Sequence, residues 1–279
     1  MTLTPITRPI EAAAALWRRL RDEAEQACAE SPLLAPLFLG SVLHQPDLAS
    51  AIFHRVAVRL DAPALPRPVL ERAFRRAAIA TPVIEAGFCA DLLAVVERDP
   101  ACLRILEPVL YFKGFHALQT HRLAHWLWHC GERDFALYLQ SRASEVLQTD
   151  IHPAARIGSG ILLDHATGLV IGATTVIEDA VSLLQGVTLG GTGHDGGDRH
   201  PKIRRGVIIG AGATILGPIE VGAGARVAAG SVVLAPVPPR TTVAGVPARI
   251  VRRAAPGAEA LSGDEILREV GYNAFDYNI

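Results

Sequence analysis

Between residues 151 and 233 an aliphatic side chain returns every six residues within each of three runs. It stands at Ile151, Ile157 and Leu163, then at Ile171, Ile177, Leu183 and Leu189. It stands again at Ile203, Ile209, Ile215, Val221, Val227 and Val233. Small residues and glycine fill the places between, as at Gly158, Gly172, Ala213, Ala225 and Ser231. Neither a helix nor a hairpin sheet has a reason to keep a period of six. A parallel β-helix does: each hexapeptide makes one short strand and one corner, and three make a coil. The aliphatic residue points into the prism, and small residues fit the tight corners. Thirteen such units predict roughly four coils.

The beat slips twice. From Leu163 to Ile171 the step is eight residues, and from Leu189 to Ile203 it is fourteen. A packed coil tolerates extra residues only as loops at its corners, and loops on a rigid scaffold are where sites are usually built. The first slip contains "LDHATG", with Asp164 and His165. The second contains "GGTGHDGGDRHPKI", with Asp198, Arg199 and His200.

The first half has a different composition. Only Gly40, Gly87, Gly114 and Gly131 of the 25 glycines precede residue 150, and all three tryptophans do. "PIEAAAALWRRLRDEAEQACAE" carries Ala13, Leu16, Leu20, Ala24 and Ala27 at helical spacing. Pro46 and Asp47 mark a second helix start. Further helices are expected at about 69–80, 83–97, 101–107, 111–130 and 134–147. The fold expected is α + β: an all-α unit over 1–149, a parallel β-helix over 150–253, and a tail over 254–279.

Charge and cysteine content limit the functions available. The net charge is -1, and neither half has a basic excess, so nucleic acid is not expected as a partner. Basic residues are almost all arginine, with Lys113 and Lys202 the exceptions, which reads as composition bias. Cys28, Cys89, Cys102 and Cys130 form no CxxC and no disulfide framework, which fits a reducing cytosol. No signal peptide or membrane span is legible, so a cytoplasmic location is expected.

At this point the chain resembles the serine acetyltransferases. The blocks that carry the resemblance are "YFKGFHALQTHRLAHWLWHCG", "DIHPAARIGSGILLDHATGLVIG", "GVTLGGTGHDGGDRHPKI" and "VVLAPVPPRTTVAGVPARIV". The resemblance implies transfer of acetyl from acetyl-CoA to the hydroxyl of L-serine, with inhibition by L-cysteine and no metal. It implies a left-handed β-helix, trimers through the β-helices with sites between subunits, and two trimers joined through the helical halves.

A serine hydroxyl is a poor nucleophile at neutral pH, and histidine suits the removal of its proton. The resemblance puts the base at His165 and an orienting carboxylate at Asp150. Arg199 offers a planar fork for the serine carboxylate. The resemblance adds His200 beside it and sets Asp164 and Asp99 on the amino group. Backbone N–H groups of "GGTG", Gly191 among them, are candidates for the thioester oxygen. Ala211 and Ala229 match positions that line the pantetheine arm of CoA, and Arg226 matches one that is often basic. The terminal Ile279 matches a docking peptide for O-acetylserine sulfhydrylase.

Other readings exist for several of these residues. Asp99 would serve equally as the N-cap of the helix after Pro100. His121, His125 and His129 share one helix face, and packing or interface roles fit them better than a metal does. His152 and His194 carry no assignment. Rival functions are another hexapeptide O-acetyltransferase with a sugar or homoserine-type acceptor, a γ-class carbonic anhydrase-like zinc enzyme, and a non-catalytic scaffold for the sulfhydrylase.

Overall fold

The computed structural model describes residues 7–193 and 196–253. His194 and Ile279 lie outside the described residues. The helical half runs α1 (Thr7–Glu30), α2 (Ala35–Phe38), α3 (Leu48–Leu60), α4 (Arg67–Ala80), α5 (Val83–Arg98), α6 (Leu106–Leu110), α7 (Lys113–His129) and α8 (Arg133–Leu147). The stripe on α1 faces inward as expected, with Leu16, Leu20, Ala24 and Ala27 buried. Asp47 caps α3 by accepting the Ser50 N–H at 2.7 Å. Two differences stand out. Three consecutive short helical segments, α2 among them, fill Pro32–Leu43, where no helix was expected. The helix expected at 101–107 begins only at Leu106, because the carboxylate of Asp99 takes the N–H of Ala101 (2.9 Å) and makes a turn instead.

The second half is a parallel β-helix of five coils. Coil one holds β1 (Thr149–Ile151), β2 (Arg156–Ile157) and β3 (Leu162–Leu163), and coil two β4 (Leu169–Ile171), β5 (Val176–Ile177) and β6 (Ser182–Leu183). Coil three holds β7 (Thr188–Gly190), β8 (Lys202–Ile203) and β9 (Ile208–Ile209), and coil four β10 (Thr214–Leu216), β11 (Glu220–Val221) and β12 (Arg226–Val227). Coil five has β13 (Val232–Val233) and β14 (Thr241–Gly245), and β15 (Ala248–Arg253) folds back antiparallel on β14.

The registers reproduce the six-residue beat. One sheet stacks Ile151, Ile171, Leu189, Ile215 and Val233. The second stacks Ile157, Ile177, Ile203 and Val221, and the third Leu163, Leu183, Ile209 and Val227. Nearly all are buried, and each such side chain is worth about 1.5–3 kcal/mol, which is why the beat is kept.

The count of four coils needs correction. Val237 pairs with Val221 and Val243 with Val227, and both are buried, so they complete a fifth coil. The beat slips a third time between Val233 and Val237, by a step of four. The corner there is shortened, and its prolines hid the continuation.

The two halves interlock. Leu118 of α7 belongs to the core of the β-helix, and Leu162 of β3 belongs to the helical core. Buried Asp91 of α5 takes Nε and Nη2 of Arg122 of α7 (2.9 and 2.6 Å) and the N–H of Ile161 (3.1 Å). Arg122 also donates to the carbonyl of Gly158 (2.8 Å). Gly114 lies so close to the Leu163 carbonyl that a β-carbon there would overlap its oxygen.

Candidate active site

The two slips foreseen in sequence become two corners on opposite edges of the sheet that contains β1. The eight-residue step is the corner 164–168, which joins β3 to β4. His165 and Ala166 both take left-handed backbone there, with φ of 54° and 59°. Non-glycine residues enter that region at a cost, and such positions cluster at functional sites. The helical half braces this corner. Lys113 donates to Gln148 Oε1 (3.2 Å) and to the Thr167 hydroxyl, and the Gly168 N–H bonds the Gln148 carbonyl (2.8 Å).

Three expected site residues meet at this corner. His165 is exposed, and its Nε2 lies 3.8 Å from Oδ1 of half-buried Asp164. Burial pushes the Asp164 carboxyl above the ordinary range; His165 pulls it down, and the charge of Asp99 raises it further. Asp99 thus comes from the end of α5 to the same corner as Asp164. It is the cap of a turn, not of a following helix.

Asp150 lies in β1 on the outer face of the sheet, where its Oδ1 accepts from Gln140 Nε2 of α8 (2.6 Å). It opens on a groove of about 460 Å³ lined also by Leu137, Ser141, Ser144 and Glu145. Within one chain the carboxylate described beside His165 is Asp164.

The fourteen-residue step is the loop between β7 and β8, at the other edge of the sheet. It reaches back over coil two. Thr174 binds it with both its hydroxyl and its backbone. The hydroxyl oxygen accepts the N–H groups of Arg199 and His200 (3.1 Å each). Nδ1 of His200 faces the Thr174 N–H at 3.2 Å and the Thr174 hydroxyl at 2.8 Å. Lys202 Nζ donates to the carbonyls of Thr174 (2.7 Å) and His200 (2.9 Å) and to Asp198 (2.5 Å). The stem of Arg199 lies along Gly191, 3.0 Å from where a β-carbon would be. Burial holds the buried His200 imidazole below the ordinary histidine range, helped by Arg199, Lys202 and His152 and opposed by Asp198.

His152, unassigned from sequence, therefore sits in the field of Arg199 and His200, and its own imidazole is pulled down mainly by burial. The histidine face of α7 docks on the same edge: His125 Nδ1 bonds the Pro153 carbonyl (2.8 Å), and His121 beside it is buried. Among the described residues no cluster of His, Cys, Asp or Glu could hold a metal.

Ala211 and Ala229 fall on the same edge of the β-helix as His165, at the corners two and three coils beyond it. With about 4.8 Å between coils, they extend roughly 10–14 Å from His165, a length suited to a pantetheine arm. Arg226 begins β12 beside that edge. Gly191 is on the opposite edge, with Arg199.

Sequence reasoning missed Thr174, Gln140 and the part played by the two lysines. The lysines had a signal: in a chain whose other cations are all arginine, each stands at one of these two corners.

Comparison with known proteins places the chain among the serine acetyltransferases. The family model "Serine acetyltransferase, N-terminal" matches residues 16–120, and "Bacterial transferase hexapeptide (six repeats)" matches residues 200–235. The serine acetyltransferase of Salmonella typhimurium is 51% identical over 92% of this chain and 93% of its own. A crystal structure of the Brucella abortus serine acetyltransferase in complex with coenzyme A has a TM-score of 0.85 at 56% identity, covering 86% of this chain and 96% of that one. A serine acetyltransferase in complex with cysteine has a TM-score of 0.87 at 47% identity, covering 91% and 98%.

Proposed function

Because this chain belongs to the serine acetyltransferase family, we propose that two corners of its β-helix divide one acetyl transfer between them. The reaction is L-serine plus acetyl-CoA to O-acetyl-L-serine plus CoA. The observation that carries the division is the separation of the two polar corners across one sheet. One side of a coil is about five residue steps, or ~16 Å. A single serine cannot bridge that span, so the corner of one subunit is completed by the loop of a neighbour. This supports the trimer implied by the resemblance, with the site between subunits.

In that site Arg199 and neutral His200 hold the serine carboxylate, and Asp164 and Asp99 hold its ammonium. His165 takes the hydroxyl proton as the serine oxygen bonds to the thioester carbon. The carbon–sulfur bond then breaks, and the proton passes to the departing CoA sulfur. Asp150 is the orienting carboxylate, steadied by Gln140. Ala211, Ala229 and Arg226 carry CoA along the His165 edge, and Gly191 of the neighbouring loop faces the thioester. L-cysteine, which has the same α-amino acid handle, competes with serine.

The helical unit ends and the β-helix begins near residue 150, and two trimers join through the helical halves. Among the described residues no single helix is long and apolar enough to cross a membrane, which is consistent with a cytoplasmic enzyme. Ile279 docks on O-acetylserine sulfhydrylase. The zinc-enzyme and scaffold readings have no observation in their favour.

The test is CoA release from acetyl-CoA with L-serine. His165→Ala should lose about 10²–10⁴ in kcat. Asp150→Asn should lower kcat, whereas Asp164→Asn should chiefly raise the KM for serine. Near-full activity of His165→Ala sinks the assignment of the base.

A further inference from the structure

We propose that Thr174 is a positioning residue for substrate specificity: it fixes His200 in the tautomer that presents Nε2–H, and holds Arg199 beside it, to receive the substrate carboxylate. The inference rests on the reading of Arg199 and His200 given above.

The hydrogen bonds leave little choice of proton position. A backbone N–H can only donate, so the Thr174 N–H must meet a lone pair on His200 Nδ1. The Thr174 hydroxyl oxygen already accepts two backbone N–H groups, from Arg199 and His200. Its hydrogen thus faces Nδ1 at 2.8 Å, with the Asp198 carboxylate as a second nearby acceptor. With two donors facing Nδ1, the ring hydrogen resides on Nε2. Protonating the ring would set an N–H against both donors. The ring packs against Gly172, where a β-carbon would overlap its Cδ2 and Nε2. One side chain on coil two therefore sets both the chemistry and the placement of a loop that belongs to coil three.

A carboxylate recognised by an N–H donor and a guanidinium fork is strongly preferred to an ester, which accepts weakly and carries no charge. Loss of the Thr174 hydroxyl removes the bonds to the Arg199 and His200 N–H groups and one of the two donors facing His200 Nδ1, leaving only the backbone N–H there. Discrimination should fall accordingly.

The experiment compares L-serine with L-serine methyl ester as acceptors for the full-length enzyme. The ratio of their kcat/KM values is read within each preparation, so it does not depend on the fraction folded. Thr174→Val should narrow the preference for serine by about tenfold. KM for acetyl-CoA should stay within about twofold, since it does not meet these groups. Thr174→Ser, which keeps the hydroxyl, should restore the preference to within about twofold of the wild type. Thr174→Ala serves as a second hydroxyl-free variant and should behave like Thr174→Val.

A preference unchanged in both hydroxyl-free variants overturns the inference. So does an equal loss on both acceptors, which would mark a general distortion of the coil. Arg199→Ala separates this from failure of the underlying reading. If Arg199→Ala leaves the preference intact, the carboxylate site itself is misassigned. If Arg199→Ala erases it and Thr174→Val does not, only the role of Thr174 falls.

Discussion

The imidazole of His200 lies against the α-carbon of Gly172, in the space where any other residue would carry its β-carbon. Gly172 does not occupy left-handed backbone, so alanine is acceptable to the chain itself. The whole effect of Gly172→Ala should therefore pass through the displaced ring. Under the proposed reading the KM for L-serine rises about tenfold, the cost of one charge-assisted hydrogen bond, while the KM for acetyl-CoA is little changed. Steady-state kinetics with each substrate varied in turn checks this.

Under the proposed reading Asp164 serves substrate binding at a cost to stability. Its carboxyl is raised by burial and by the charge of Asp99, with His165 only partly compensating. A carboxyl whose pKa is higher folded than unfolded destabilises the fold once it is ionised. That cost is present above the raised folded value and vanishes below the ordinary carboxylate value. Asp164→Asn should thus raise the thermal midpoint at neutral pH by about 2 °C while weakening serine binding. The gain should fade as pH falls through the carboxylate range. A thermal-melt series from pH 4 to 8 reads it, and a gain that persists at low pH counts against this cause.

The β-helix was legible because its key residues are repeated and buried for one reason. A ladder such as Ile157, Ile177 and Ile203 recurs at every coil, so the period survives any single exception. The slips at His165 and Arg199 were legible as breaks in that period. Val237 and Val243 were not, because a short proline-rich corner shifted the phase just before them. The separation of the corners was also illegible. His165 and Arg199 are each marked by a slip, yet only the stacking shows that they flank the same sheet. The arginine excess was read as composition bias and its two exceptions, Lys113 and Lys202, were given no role, although the structure gives a reason for both. A compact ammonium with three donors suits the converging oxygens around Lys202, whereas a planar guanidinium does not. The packed reading holds for His121, which is buried, and for His125, which is half-buried and bonds the Pro153 carbonyl of coil one; burial keeps both below the ordinary range, whereas His129 at the helix end is exposed.

Asp91 joins α5, α7 and the first coil at one buried carboxylate. Asp91→Ala would strand the Arg122 guanidinium in a site that leaves it little solvent, and would orphan the Ile161 N–H. Breaking a buried pair from one side costs roughly 3–5 kcal/mol. The loss should appear as a lowered urea midpoint of the full-length protein. Asp91→Asn keeps an acceptor for Ile161 and should fall between the two.

If the site is shared between subunits, inactive subunits should rescue one another. His165→Ala keeps the Arg199 loop, and Arg199→Ala keeps the His165 corner. In a cyclic trimer containing both kinds, one interface joins a wild-type His165 corner to a wild-type Arg199 loop. Such a trimer has one working site of three. Random mixing in equal amounts makes three-quarters of trimers mixed, so activity should recover to about a quarter of wild type. Unfolding and refolding the two variants together, then measuring CoA release, reads the recovery, with each variant refolded alone as the baseline. Activity no greater than the mean of the two baselines would show that both corners act within one chain, and the subunit-shared site would have to be given up.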